Sequence, residues 1–82
     1  MEFPLSTADL IHATGSALYG TTYQREFAAA LGINRRTLSR WTAGSAEPRP
    51  TVWTDILQLV EDRYHELAPL IEAIDERVEE AK

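Results

Sequence analysis

Residues 24–43, QREFAAALGINRRTLSRWTA, constrain the fold of this chain more than any other stretch. Phe27, Ala28 and Leu31 recur at the spacing of one helical face. Gly32 follows, and glycine enters the left-handed conformation that ends many helices without a steric cost. Asn34 is a favourable N-cap for a new helix. The stretch therefore predicts two short helices joined by a tight turn.

The second of these helices is predicted to run from about Arg35 to Thr42 with one buried side. Leu38 and Trp41 face inward at a spacing of three residues. We assign Trp41 to the core on this phase, rather than to a stacking surface for bases. The outward positions then carry polar and basic side chains: Arg35, Arg36, Thr37, Ser39 and Arg40.

The buried positions also have a characteristic size pattern. A small residue stands at Ala28, a turn glycine at Gly32, and apolar residues at Ile33, Leu38 and Trp41. Over residues 23–48 this pattern resembles the helix-turn-helix of the lambda-repressor/Cro-like (XRE-like) family. The resemblance implies an all-α domain of four to five helices, to which the apolar rhythm of the last residues adds a C-terminal helical extension. It also implies binding to double-stranded DNA, as in small phage or plasmid repressors.

The same resemblance implies roles for individual side chains. Arg35, Arg36 and Arg40 match the usual base readers, and the planar fork of arginine can donate twice to guanine. Gln24 matches the position that holds a backbone phosphate. The remaining expected phosphate and positioning contacts are Asn34, Thr37, Ser39 and Arg49.

The distribution of charge supports a nucleic-acid partner although the whole chain carries −5. Residues 1–20 carry −2, residues 21–50 carry +3 and residues 51–82 carry −6. DNA binding usually requires cations that displace counterions from phosphate. The only basic block coincides with the predicted helix pair, so one end of the molecule is expected to face DNA.

The flanking helices are predicted with less detail. Ser6 caps a first helix that ends at Gly20, and close packing is expected at Gly15. Thr21 or Thr22 starts the second helix, because Thr21 and Gln24 match a capping box. The expected apolar side of the first helix consists of Leu10, Thr14, Ala17 and Leu18.

A fourth helix is predicted to open at Pro50 or Thr51, after a loop containing Pro48. Its apolar rhythm continues beyond a minimal domain, and Pro69 either kinks it or is followed by a fifth helix beginning around Glu66. We divide the chain into a helix-turn-helix domain, 1–64, and an acidic amphipathic helix, 65–82, packed onto the same domain. The expected buried side of the fourth helix is Trp53, Ile56, Leu57 and Val60, and the expected dimerisation residues are Leu67, Leu70, Ile71, Ile74 and Val78.

Other classes of protein find little support in the sequence. There are no cysteines, and His12 and His65 have no metal-binding companions, so we expect no cofactor, no metal and no enzymatic activity. The first ten residues lack the features of a secretory signal, and no apolar run reaches membrane-spanning length. We expect a cytoplasmic protein, encoded by a bacterium or phage, with no membrane association and no small-molecule ligand.

Two functions fit these observations. The first is a homodimeric transcriptional repressor, acting on its own promoter or another, that reads an inverted repeat through the major groove. The second is an antitoxin-type interaction module, whose C-terminal helix binds a partner protein while the helix-turn-helix autoregulates. A stable dimer with a fully helical tail favours the repressor, and a monomer with a frayed tail favours the missing partner.

Overall fold

Four helices make up residues 5–82, the part of the chain that this computed structural model describes. They are α1 (Thr7–Tyr19), α2 (Gln24–Leu31), α3 (Arg35–Thr42) and α4 (Pro50–Glu80). No strand occurs among these residues, which confirms the all-α prediction. Glu2, which contributes to the charge of residues 1–20, lies outside the described residues. So does the start of the ten-residue segment that was compared with a secretory signal.

Helix α1 begins and ends where its sequence predicts. The hydroxyl oxygen of Ser6 accepts a hydrogen bond of 3.1 Å from the backbone N–H of Asp9, so one free donor of the first turn is satisfied. Gly20 has a φ of 88° and donates its N–H to the carbonyl oxygen of Ser16 at 2.9 Å. The positive φ is readily adopted only by glycine, and the helix stops there.

The buried side of α1 differs from the prediction. Ile11, Gly15 and Leu18 face the core, whereas Leu10 and Ala17 are exposed. Consecutive residues in an α-helix are about 100° apart, and the true buried side is offset by one residue from the predicted one. The expected burial of Leu10 and Ala17 is therefore wrong.

Helix α2 starts later than the capping-box pattern predicts. Thr21 and Thr22 form a turn, and Tyr23 is the N-cap residue, without a side-chain hydrogen bond to the helix. The prediction that Thr21 and Gln24 form a capping box is thus wrong. The ring of Tyr23 is 1% exposed and packs against Gly15, and this burial fixes where the chain enters α2.

The turn between α2 and α3 is built as its residues predict. Gly32 adopts φ 70° and ψ 29°, in the left-handed region. The N–H of Ile33 donates to the carbonyl oxygen of Ala28 at 3.0 Å, and the N–H of Gly32 donates to Ala29 at 3.1 Å. These bonds satisfy carbonyls at the end of α2 and reverse the chain within two residues.

One hydrophobic cluster joins all four helices. Its largest fully buried side chains are Tyr23, Phe27, Ile11 and Leu38. Trp41 from α3 and Ile56 from α4 complete the cluster, each 5% exposed. Helices α3 and α4 each pack against α1 and α2 rather than against one another. The outer face of α3 is consequently left uncovered by α4.

Helix α4 is one continuous helix of 31 residues that contains Pro69, so no fifth helix begins around Glu66. Its first half faces the core through Ile56, with Val52, Trp53 and Leu59 packed against the cluster. Leu57 and Val60, which the sequence places on the buried side, are instead exposed, because α4 presents a side offset by one residue.

The sequence predicts that residues 65–82 pack onto the same domain. The second half of α4 instead extends away from the body formed by α1–α3. Every residue from 69 to 82 is exposed. A helix of this length extends about 45 Å, well beyond a core built from three short helices. The molecule measures 52 Å along its longest axis as a result.

Arg63 fixes the direction in which α4 leaves the body. Its guanidinium donates a hydrogen bond of 2.9 Å to the carbonyl oxygen of Leu18, in the last turn of α1. The same group lies 6.0 Å from the centre of the Tyr19 ring. A cation at the C-terminal end of a helix also interacts favourably with the helix dipole. These contacts hold the middle of α4 against the end of α1.

Candidate nucleic-acid interface

The N-terminus of α3 is fixed by Asn34. Its side-chain oxygen accepts hydrogen bonds from the backbone N–H of Thr37 at 2.8 Å and from the hydroxyl of Thr37 at 3.0 Å. Both bonds use the amide oxygen, so the amide nitrogen still has two hydrogens to donate outward. The predicted N-cap is confirmed, and it rigidifies the turn from which the arginines of α3 project.

The three arginines of α3 lie on its solvent side. Arg35, Arg36 and Arg40 are all exposed, whereas Leu38 and Trp41 hold the opposite side in the core. Arg36 and Arg40 are four residues apart, so their side chains are neighbours on one helical face. No acidic residue occurs in the first turn of α3. The arrangement presents a positive surface to solvent along α3.

A concave surface of about 510 Å³ connects the beginning of α2 to the beginning of α3. Two of its residues are site residues predicted from the sequence, Gln24 and Arg35. The others were not among the predicted site residues: Thr22, Arg25 and Glu26. The basic side chains of Arg25 and Arg35 lie on opposite helices of this cleft, next to the amide of Gln24.

Local sequence could have indicated two of the residues that the prediction left out. Thr22 and Arg25 flank Gln24 by two and one positions, and any ligand at the start of α2 would meet both. Arg25 shares its helix with the adjacent Glu26. The structure brings Arg25 into the cleft despite that neighbour, whose carboxylate reduces the positive charge there.

The start of α2 differs from the starts of α1 and α3 in having no capping side chain. Ser6 caps α1 and Asn34 caps α3, but Tyr23 makes no side-chain bond to α2. The first N–H groups of a helix have no partner within the helix. Such uncapped ends favour anions, because the N–H groups and the helix dipole act together.

The remaining predicted positions are less uniform. Ser39 is exposed on α3. Thr37 is partly buried, and its hydroxyl hydrogen is used by Asn34. Arg49 is exposed at the N-cap of α4 and does not line the cleft between α2 and α3. Thus Gln24 and Arg35 share a surface, whereas Arg49 stands on a separate loop.

The buried phenol of Tyr23 lies at the start of α2, next to the cleft. Burial raises the pKa of the Tyr23 phenol above its ordinary value near 10. Its hydroxyl lies 2.8 Å from Nδ1 of His12, and the two rings meet edge to face. His12 thereby satisfies the buried hydroxyl that precedes Gln24.

In residues 5–82, no group of three His, Asp or Glu side chains is arranged to hold a metal ion. None of the four helices combines the length and the apolar composition that crossing a membrane requires.

Comparison with known proteins adds one finding. A family model described as Helix-turn-helix matches residues 20–60, which is half of the chain and includes α2, the turn, α3 and the beginning of α4. No curated protein and no solved structure shows a match to the chain.

Proposed function

This chain belongs to the XRE/lambda-repressor-like helix-turn-helix family and is a DNA-binding transcription regulator of that type, and from this premise we propose that it is a homodimeric repressor of an inverted-repeat operator. The family is a regulatory one and not a family of enzymes. The observation that carries the proposal is the outward placement of Arg35, Arg36 and Arg40 on a helix whose other side is buried.

The three arginines read bases in this proposal. A helix in the major groove presents its first turns to base edges, and that is where Arg35 and Arg36 stand. Arg40 follows one turn later on the same side as Arg36. Each can donate two hydrogen bonds to the O6 and N7 atoms of guanine, with a discrimination of roughly 1–3 kcal/mol per pair.

The beginning of α2 positions the duplex. Gln24 donates to a phosphate oxygen there, and the uncapped N–H groups of α2 attract the same charge. Asn34, with its free amide hydrogens, serves a second phosphate near the start of α3. Further contacts to the DNA backbone come from Ser39 and Arg49, whereas the N–H and the hydroxyl of Thr37 both donate to Asn34 and leave no donor for a phosphate. Arg25, which lines the same cleft, adds a cation at the start of α2.

The domain division follows from charge. The helix-turn-helix domain, 1–64, contains the basic block, and the acidic segment, 65–82, is kept at a distance by the length of α4. Dimerisation uses the exposed apolar side of that segment, with Leu67, Leu70, Ile71, Ile74 and Val78 as its first candidates. Two recognition helices about 34–36 Å apart would then enter successive major grooves.

The repressor is favoured over an antitoxin-type module by the state of the tail. Helix α4 continues to Glu80, whereas a segment that awaits a different protein is expected to fold only on binding. Repression would follow from occlusion of the polymerase at a promoter that contains the operator. The bacterial or phage origin and the cytoplasmic location remain parts of this proposal.

A selection from random duplexes tests the proposal. The full-length protein should enrich a palindromic sequence with two guanine-containing half-sites, and a promoter carrying that sequence should lose activity when the protein is present. Arg36→Ala and Arg40→Ala should each weaken binding to the selected duplex roughly tenfold or more. Arg77→Ala, at the far end of α4, is the matched control and should bind normally.

Gln24→Ala examines the phosphate contact separately. It should weaken binding to selected and random duplexes by the same factor, because phosphate contacts carry no direct sequence information. A changed sequence preference would contradict the phosphate role. Failure of every duplex to bind at low salt would overturn the proposed function as a whole.

A further inference from the structure

Helix α4 has two apolar sides, and only one of them faces the body. The body-facing side consists of Val52, Trp53, Ile56 and Leu59. The second side, which we call the heptad stripe, runs from the eighth residue of α4 to its C-cap and is composed of Leu57, Val60, Tyr64, Leu67, Ile71, Ile74, Val78 and Ala81.

The heptad stripe alternates steps of three and four residues without a break from Leu57 to Ala81. Its large side chains are between 40% exposed, at Val60, and 65% exposed, at Tyr64. The average spacing of 3.5 residues is that of helices that wind around each other, and the stripe spans about three and a half heptads. No charged residue interrupts it.

We propose that the heptad stripe binds the same stripe of a second copy, in parallel and in register, as a two-stranded coiled coil that continues onto α1. This inference rests on the proposed function in taking the chain to be a homodimer. It also changes the residues expected at the dimer interface. Leu70 lies beside the stripe, and Leu57, Val60 and Tyr64 are added to it.

The position of Pro69 fits this arrangement. In the heptad that places Tyr64 and Ile71 at the first position, Pro69 stands at the sixth, on the side of the helix farthest from the stripe. Proline removes the N–H that would bond to the carbonyl of His65 and bends a helix. Both residues are exposed, so water can satisfy that carbonyl and the helix can curve around its partner.

Charges beside the stripe favour the parallel orientation. In a parallel pair, one kind of like-charge contact arises, twice, between Arg77 and the partner's Lys82 at the C-terminal end. An antiparallel pair that uses the full stripe would place Glu61 against the partner's Asp75 and Arg63 against the partner's Arg77, each twice. Like charges at these flanking positions oppose pairing. The parallel pair also brings both helix-turn-helix motifs to one end.

The stripe also meets the body in a groove between α1 and α4. This groove has a volume of about 230 Å³ and is lined by Ala13, Thr14, Ala17, Leu18 and Val60. Val60 belongs to the stripe, and the exposed side chains of α1 are small, so a partner helix can approach closely. The exposed apolar side of α1 is thus part of the interface, which fixes each body relative to the coiled coil.

The regular period of the stripe fits a second copy as its occupant. A coiled coil between identical chains requires that one sequence supply both sets of interlocking side chains, and this stripe has the same period from end to end. The acidic surface outside the stripe, at Glu72, Glu76, Glu79 and Glu80, remains in water in such a dimer.

Single cysteines test the orientation directly, because the chain has none of its own. In the absence of DNA and under mild oxidation, Val60→Cys and Val78→Cys should each form disulfide-linked dimers. In an antiparallel pair those positions face each other, so cross-linking only in a mixture of the two variants would overturn the proposal. Glu72→Cys, on the outer side, is the control and should stay unlinked.

Analytical ultracentrifugation tests the stripe itself. Ile74→Asp should raise the dimer dissociation constant at least tenfold, and the neighbouring control Ala73→Asp, outside the stripe, should not. Ala17→Lys should also weaken the dimer relative to Ala30→Lys, which introduces the same charge on an exposed position of α2. Equal effects in either pair would contradict the interface.

These measurements are independent of the DNA-binding proposal. A monomer with unlinked cysteines would overturn the coiled coil even if the protein selects a duplex sequence. An intact, cross-linkable dimer that fails to bind any duplex would overturn the proposed function and leave the coiled coil standing.

Discussion

The ring of Tyr23 lies directly over Gly15. A Cβ atom placed on Gly15 would stand 2.5 Å from Cδ1 of Tyr23 and 2.8 Å from Cε1. Tyr23 is 1% exposed and is the N-cap of α2, so the contact joins α1 to the start of the helix-turn-helix. Glycine is required here for close approach, since α1 is otherwise regular at this position.

Gly15→Ala should therefore destabilise the protein although alanine is the better helix former. Overpacking of a core typically costs 1–3 kcal/mol, against a gain of about 1 kcal/mol from helix propensity. We expect a net loss of up to about 2 kcal/mol in the free energy of unfolding, measured with urea at fixed protein concentration. In a Tyr23→Leu background the same change should become neutral or stabilising, and an equal loss there would place the strain elsewhere.

The buried phenol of Tyr23 predicts a loss of stability in alkali. Its pKa is raised by burial, so above about pH 10 the unfolded chain releases this proton while the folded chain keeps it. The stabilisation is complete below the ordinary pKa and declines as the pH rises through the folded value. Between pH 8 and 11 the wild type should lose stability faster than Tyr23→Phe, which lacks the proton.

Comparing the wild type with Tyr23→Phe separates the Tyr23 phenol from the other groups that lose a proton in alkali. At neutral pH, Tyr23→Phe should be less stable by about 1 kcal/mol, because the hydrogen bond to His12 is lost. The two stability curves should then converge in alkali. Parallel curves across this range would show that the phenol does not control the slope.

The helix-turn-helix could be predicted closely from sequence because its determinants are local. Gly32 requires a left-handed φ, and Asn34 caps the helix that follows it, so both residues specify their conformation within a few positions. The limits of α3 follow from the same signals. A short turn with a required glycine and a capping side chain leaves few alternatives.

The phases of α1 and α4 could not be predicted in the same way. Each helix has apolar residues on two neighbouring sides, as Leu10 and Ile11 show in α1 and Ile56 and Leu57 show in α4. Periodicity detects an apolar side but does not say whether it meets the chain's own core or another surface. In both helices, the side that the sequence predicts to be buried includes residues that the fold leaves exposed, such as Leu10 and Leu57.

The cleft between α2 and α3 was predicted only in part for a related reason. The motif predicts DNA contacts for Gln24 and Arg35 separately, each from its own position in the sequence. That Arg25 shares their surface depends on how the two helices cross, which is a tertiary property.

Removal of Arg63 should loosen α4 from α1. Arg63→Ala removes the hydrogen bond to the carbonyl of Leu18, and we expect the free energy of unfolding to fall by about 1 kcal/mol. The loss is smaller than for a fully buried hydrogen bond to a charged group, because the Arg63 side chain is 39% exposed. Amide hydrogens in the last turn of α1 should exchange faster with solvent. Arg77→Ala is the control.

Arg77 is suited to that comparison because it forms only a weak ion pair. Its side chain is 85% exposed and lies 4.0 Å from Glu80. Exposed pairs of this kind contribute little, so Arg77→Ala should change stability by less than about 0.5 kcal/mol. Equal losses for the two variants would show that the bond to Leu18 does not hold the helices together.

Asn34 allows the fold and DNA binding to be changed separately. Asn34→Ala removes the acceptor for the N–H and hydroxyl of Thr37, so the protein should lose about 1 kcal/mol of stability. Asn34→Asp retains an equally good cap and adds a negative charge that the beginning of a helix favours. Its stability should equal or exceed that of the wild type.

The same aspartate substitution should nevertheless impair DNA binding, because its carboxylate would face phosphate in place of an amide donor. We expect Asn34→Asp to bind duplex at least roughly tenfold more weakly at moderate salt, across selected and random sequences alike. Electrophoretic mobility shift and thermal unfolding on the same preparation provide the two readouts. Undiminished binding by a stably folded Asn34→Asp protein would place the phosphate backbone away from the start of α3.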